Sequence, residues 1–226
     1  MIDNYPVRSS DKPGNSHAMN TQALFSSSNA YGIPDLASSP LSAIPDEIVP
    51  YRYKVRHKNG REGKAVHFFI DDYRFETTWQ KPGKALQSLK GYQTVLTPDF
   101  SLYTDYPRAM QIWNIYRSRW CGCYWQSLGL TVIPSVTWSD ESSFDFCFLG
   151  LPSQSLLAVS TIGVKRNAQA RRLFQAGYEV LITQLNPSHL LCYGNPFTYM
   201  ESDVALTVYP HYRASRVSKK QAKGQD

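Results

Sequence analysis

Short apolar runs, each halted by turn-forming residues and followed by a stretch with helical spacing, recur from residue 66 to residue 193. The runs fall at 66–70, closed by Asp71 and Asp72; at 94–97, closed by Pro98 and Asp99; at 131–136; at 156–160; and at 189–193, stopped by Gly194. Between them, residues 82–89 carry a proline in their first turn, as helices tolerate. Asp105 is a natural N-cap, with Pro107 just inside a helix on which Ala109, Ile112, Trp113, Tyr116, Trp120 and Cys123 recur at helical spacing. A short helix is expected between Asp140 and Gly150. A longer one runs from an Asn167 cap to Leu185, kinked near Gly177. Strand and helix alternating in this way imply parallel pairing with right-handed crossovers, and near-continuous apolar strands fit a sheet covered on both faces. The expected class is α/β: repeated βα units with a mainly parallel sheet of five strands, as a partial or irregular β/α barrel or, alternatively, an open doubly wound sheet.

The flanks read differently. Residues 1–44 are rich in Ser, Asn, Pro and Gly and poor in large aliphatics, so they are expected to stay mostly disordered. The α/β domain is placed at 45–195, followed by an extension over 196–226 with a basic tail. Net charge is +6, and +4 of it comes from residues 213–226, where Arg213, Arg216, Lys219, Lys220 and Lys223 face only Asp226. Such a tail either solubilises the chain or engages an anionic partner, DNA or RNA above all. The four cysteines, Cys121, Cys123, Cys147 and Cys192, lack zinc-knuckle spacing and read as small buried hydrophobes of a reducing compartment. Residues 1–10 show no apolar signal core, and no apolar run approaches 18 residues, so a cytoplasmic protein with no membrane span is expected.

In parallel α/β folds chemistry gathers where strands end. That rule singles out Asp71, Asp72, Asp99 with Ser101, Trp138 with Ser139 and Asp140, Thr161, and Tyr193 with Asn195. Asp71, Asp72, Asp99 and Asp140 are candidate catalytic carboxylates. Asp71 and Asp99 are candidate ligands for a magnesium or manganese ion, because hard cations prefer oxygen. The plainer reading gives these acids to turns and caps. His67 lies inside a strand and reads as a core histidine rather than a base. Arg117 and Arg119 on the aromatic helix, Lys165 and Arg166 after the fourth strand, and Arg213, Arg216, Lys219 and Lys220 in the tail are candidate nucleic-acid contacts. The alternative for the helix arginines is a solvated face opposite a core stripe. No G-x-S-x-G, H-E-x-x-H or Walker motif occurs.

Four phrases in order, HFFIDDYRFETTW (67–79), TPDFSLYTDYPRAMQIWNIYRSRW (97–120), VIPSVTW (132–138) and AVSTIGV (158–164), resemble the bacterial and phage family called domain of unknown function 4417. The likeness spans about 44–194. It implies a protein of phages, plasmids or integrated elements and transfers no catalytic residue. Three functions follow as expectations: a nucleic-acid-associated protein of replication, transfer or regulation; a metal-dependent hydrolase or nuclease using the strand-end carboxylates; or a non-enzymatic protein that binds a host factor.

Overall fold

The computed structural model describes residues 13–52 and 60–211. Seven strands, all parallel, form two sheets among these residues. The first holds β1 (Glu47–Pro50), β2 (Lys64–His67), β3 (Thr94–Leu96) and β4 (Thr131–Ile133) in that order. The second holds β5 (Leu156–Ser160), β6 (His189–Tyr193) and β7 (Leu206–Tyr209). The helices are α1 (Pro13–Met19), α2 (Thr77–Gln80), α3 (Pro82–Leu89), α4 (Arg108–Ser127), α5 (Ala168–Leu185) and α6 (Thr198–Asp203).

Period-two alternation along the strands sorts their side chains into an inner and an outer set. Ile48, Ala65, Leu96, Ile133, Leu156, Ala158, Leu191, Tyr193 and Tyr209, drawn from all seven strands, share one cluster. Their neighbours face the helices. Val49, Val66, Val95 and Val132 pack with Trp79, Leu89, Trp120 and Trp125. Leu157, Val159, Leu190 and Cys192 pack with Phe174, Tyr178, Leu181 and Leu185 of α5. Strand order follows chain order in both sheets, without the reversal that a doubly wound sheet requires.

Among the described residues, hydrogen bonds tie the sheets to each other at two places. One is the bridge Ser135–Ala158, with the Val136 amide donating to the Ala158 carbonyl at 2.8 Å. The other is the Tyr209 hydroxyl, which donates to the Pro45 carbonyl beside β1. No ladder joins β4 to β5 or β7 to β1 among the described residues, so hydrogen bonding does not close the strands into a continuous barrel.

Several boundaries differ from expectation. β1 and β7 were not anticipated; β7 lies within the segment treated as an extension, and it pairs with β6 from Leu190 to Tyr193. The residue that caps α4 is Pro107, not Asp105, and the cap makes no side-chain hydrogen bond. After Asp140 only a 3-10 turn forms, Glu141–Ser143. α5 runs unbroken through Gly177.

Residues 20–44, expected to be mostly disordered, form a strap across α4 and the strands. Ile33 is 0% and Leu36 5% exposed. Trp120 donates its indole N–H to the Ala23 carbonyl at 2.7 Å, Asn20 donates to the Trp79 carbonyl, and the Leu36 amide donates to the Gly150 carbonyl. These polar residues find backbone partners on the domain, which composition does not register. Residues 1–12 lie outside the described residues.

Candidate functional site

A cleft of about 660 Å³ opens where the strands end. Arg52 follows β1, Phe69 to Asp71 follow β2, Asp99 and Ser101 to Thr104 follow β3, and Val136 to Ser139 follow β4. Ser160, Ile162 and Val164 come from the end of β5 and the turn after it, Leu173 and Phe174 from α5, and His211 from just beyond β7. Its position is the one expected of a parallel α/β site.

Asp99 is the group in this cleft whose chemistry is most altered. The residue is half-buried, yet its Oδ1 is sealed from solvent and has no hydrogen-bond partner among the described residues. Burial pushes its carboxyl up to about 7, the nearby Asp72 charge adds to the rise, and the Arg119 charge opposes it. This carboxyl therefore keeps its proton to higher pH than an ordinary Asp does.

The other acids are committed locally. Asp71 also lines the cleft, but its Oδ2 accepts from Arg74 Nε at 2.7 Å, which holds the exposed carboxyl below its ordinary range. Asp72 accepts from the Ser101 amide at 3.0 Å and from its hydroxyl at 2.8 Å. Asp140 caps its 3-10 turn, accepting from the Ser142 amide and hydroxyl. No group of three His, Cys, Asp or Glu side chains is placed to hold a metal ion among the described residues. The donor set therefore fits a magnesium or manganese centre poorly, with Asp71 and Asp72 already bonded.

The helix arginines are not surface cations. Arg119 is 0% exposed and donates to the carbonyls of Leu149, Ser135 and Cys147, tying α4 to two loops. It shares an i, i+4 row with Ile115 and Cys123, a spacing that marks it as inward-facing. Arg117 lies over the Phe100 ring at 3.9 Å and donates to Glu76 at 2.6 Å. Neither matches the exposed basic face expected of a phosphate-tracking helix. Lys165 is exposed and donates to the Pro196 carbonyl. Arg166 closes the 3-10 turn Val164–Arg166. The first amides of α5, which an anion would need, are taken by the Asn167 side chain. Arg213, Arg216, Lys219 and Lys220 lie outside the described residues.

His67 is a core residue, as expected. Its Nδ1 accepts from the Phe69 amide at 3.2 Å, its ring lies 4.3 Å from that of Tyr193, and its buried Nε2 has no partner among the described residues. Burial, aided by the His211 and Arg52 charges, pushes it down to about 3. Trp138 is held by its indole N–H on the Leu173 carbonyl and leans on Phe174 at 5.1 Å. Ser139 donates to Gln111 at 2.7 Å. Thr161 and Asn195 bond each other and line a second hollow of about 370 Å³, together with Gly163, Lys165, Ile162 and His211. Arg52, His211 and Tyr103 are not among the residues the strand-end rule singles out; the first and second follow β1 and β7. The four cysteines are free and buried, with thiols pushed upward by burial. No helix of the described residues is long and apolar enough to cross a membrane.

A parallel α/β protein with a polar and aromatic cleft at its strand ends is thus defined. The family profile "Domain of unknown function (DUF4417)" matches residues 25–211, and the chain belongs to that family. It is 44% identical over 187 residues to the "Gene 1 protein" of Mycobacterium phage L5, covering 82% of this chain and 80% of the relative. The "Gene 1 protein" of Mycobacterium phage D29 is 43% identical over 187 residues, 82% of this chain and 68% of the relative. The chain is therefore a phage-type protein. No solved structure matches it.

Proposed function

We propose that this phage-type protein is an enzyme that binds its substrate in the strand-end cleft and transfers a proton to or from it through Asp99. The observation that carries this reading is the Asp99 carboxyl on the wall of that cleft, whose inner oxygen, Oδ1, is sealed and has no partner among the described residues. A sealed, unpaired carboxyl oxygen is costly to ionise, so the carboxyl tends to keep a proton that it can give up in reaction. A carboxyl poised near 7 also has the acidity that general acid–base catalysis at neutral pH favours. Arg119, bound on its other edges to carbonyls, contributes a fixed positive charge that keeps the ionised form accessible. Carboxyl-carbon NMR tests the poise directly. A resonance titrating near neutrality and missing from Asp99→Asn supports the reading; an Asp99 midpoint at the ordinary carboxylate value rules it out.

A second reading rests on the tail. Five cations against one acid in residues 213–226 favour association with DNA or RNA, independently of the cleft.

A further inference from the structure

Two loops that wall the cleft are held from one face of α4. This helix grows out of the loop that follows β3, and its two halves bury different chemistry. The C-terminal half buries Trp120, Cys121, Cys123 and Trp125. The N-terminal half buries Ile115 together with four polar residues, Gln111, Asn114, Ser118 and Arg119. Gln111, Asn114 and Ser118 recur at i, i+3 and i+7, the spacing of a single stripe along a helix.

The two amides of that stripe reach the cleft-forming loops. Gln111 Nε2 donates to the Tyr106 carbonyl at 3.0 Å, and its Oε1 accepts from the Ser139 hydroxyl at 2.7 Å. One side chain thus joins the loop after β3 to the loop after β4. Asn114 Nδ2 donates to the Ser101 carbonyl at 2.8 Å, and its Oδ1 accepts at 2.6 Å from Arg117, which also pairs with Glu76. Asp72 holds Ser101 through its amide and hydroxyl. Asp99 and Ser101 both line the cleft, and Phe100 between them is buried beneath the Arg117 guanidinium. The two residues that follow Asp99 are therefore both pinned. Aliphatic side chains of the same shape would fill these places without desolvating an amide. What the amides supply is geometry, since each commits its donor and its acceptor to different partners.

We propose that Gln111 and Asn114 are positioning residues of the cleft, setting the loops after β3 and β4 so that Asp99 and Trp138 meet a substrate at fixed places. This rests on the preceding reading of the cleft as the substrate site and adds the residues that act from behind its wall.

The test uses the full chain with Asn114→Leu and Gln111→Met, which keep the size of the side chain and remove the amide. Leu89→Val in α3 is the destabilising control, in the core and outside the cleft lining. Two readouts are taken: carboxyl-carbon titration of Asp99, and amide hydrogen exchange at Ser101 and Ser139, whose N–H groups donate to Asp72 and Ser143. Asn114→Leu is expected to speed exchange at Ser101 about tenfold or more beyond any change at Val95 of β3. It should also lower the Asp99 midpoint by about one unit or more, because a freed segment lets water reach the carboxyl. Gln111→Met should speed exchange at Ser139 in the same way. The charges that face Asp99, namely Asp72 and Arg119, and those on the cleft wall, Asp71, Arg52 and His211, are present in every variant. Leu89→Val should leave the midpoint in place. If Asn114→Leu does not fold, Asn114→Ser, which stays polar but is too short to bridge its partners, is read against the same expectations. The inference is overturned if exchange at Ser101 and Ser139 merely follows Val95 in both amide variants. It is also overturned if Asn114→Leu leaves unmoved an Asp99 midpoint that lies near neutrality in the wild type. A wild-type midpoint at the ordinary carboxylate value would instead strike the acid–base reading, and the exchange rates would still decide the positioning.

Discussion

At Asp99 and at His67, burial acts on charges of opposite sign. Asp99 keeps its proton up to about 7 in the fold, whereas an unfolded Asp releases it near 4. Between those values the folded state holds the extra proton, so this group makes stability fall as pH rises. His67 takes up a proton only near 3, whereas an unfolded His does so near 6.5. Over that window the unfolded state holds the extra proton, and stability rises with pH. Each slope approaches about 1.4 kcal/mol per pH unit, so the two largely cancel from about pH 4 to 6.5. The groups facing them, Asp72 and Arg119 at Asp99 and Arg52 and His211 at His67, set the edges of the windows. Single variants should unmask each half. Asp99→Asn should give a urea midpoint that climbs from pH 4 to 6.5, and His67→Gln one that declines from pH 4 to 7. Gln keeps an acceptor for the Phe69 amide. Superimposable pH profiles for wild type and both variants would contradict both assignments. The strand-end rule found Asp99 in the sequence, but its poise depends on Asp72 and Arg119, which only the fold brings beside it. Arg119 shows the converse, because its row with Ile115 and Cys123 was readable and its carbonyl partners were not.

At the scale of elements, a closing Gly, Pro or Asp does not separate the legible strands from the others, because β1 (EIVP) ends on Pro50 and β7 (LTVY) runs into Pro210. What marks these two as strands is their register on β2 and β6, which only the fold supplies. The strap over 20–44 was invisible for a different reason: its partners lie far along the chain, 97 residues away for the Ala23–Trp120 bond. Ile33 tests the strap. Ile33→Ala should cost about 2–4 kcal/mol in chemical denaturation, as for a core aliphatic. A change within error would mean the segment does not dock. Gly177 tests the contact of α5 with the cleft wall. Ala is the better helix former by about 1 kcal/mol. Gly177→Ala should nonetheless destabilise by about 1–3 kcal/mol, because its Cβ enters the Trp138 indole. Gly83→Ala in α3, with nothing within 4 Å of its added Cβ, should be neutral or stabilising. The near-ultraviolet dichroism of Trp138 should change in the first variant and not in the second.

For the whole molecule, the distribution of charge separates a body from a tail. Residues 1–212 carry a net +2 and the remaining fourteen a net +4. Within the body, Arg117 is paired with Glu76 and Arg119 is buried among carbonyls, so α4 offers little to a phosphate backbone. The family match ends at residue 211, before the tail begins. The tail and the cleft are therefore separable devices, and salt distinguishes them. Each phosphate neutralised contributes a slope of roughly −0.9 to the dependence of log affinity on log salt for duplex DNA. If the tail docks with all five cations, deleting residues 213–226 should flatten that slope by about four to five and weaken binding most at low salt. A duplex affinity that is absent in the full chain, or a slope that survives the deletion, would remove the tail from nucleic-acid association.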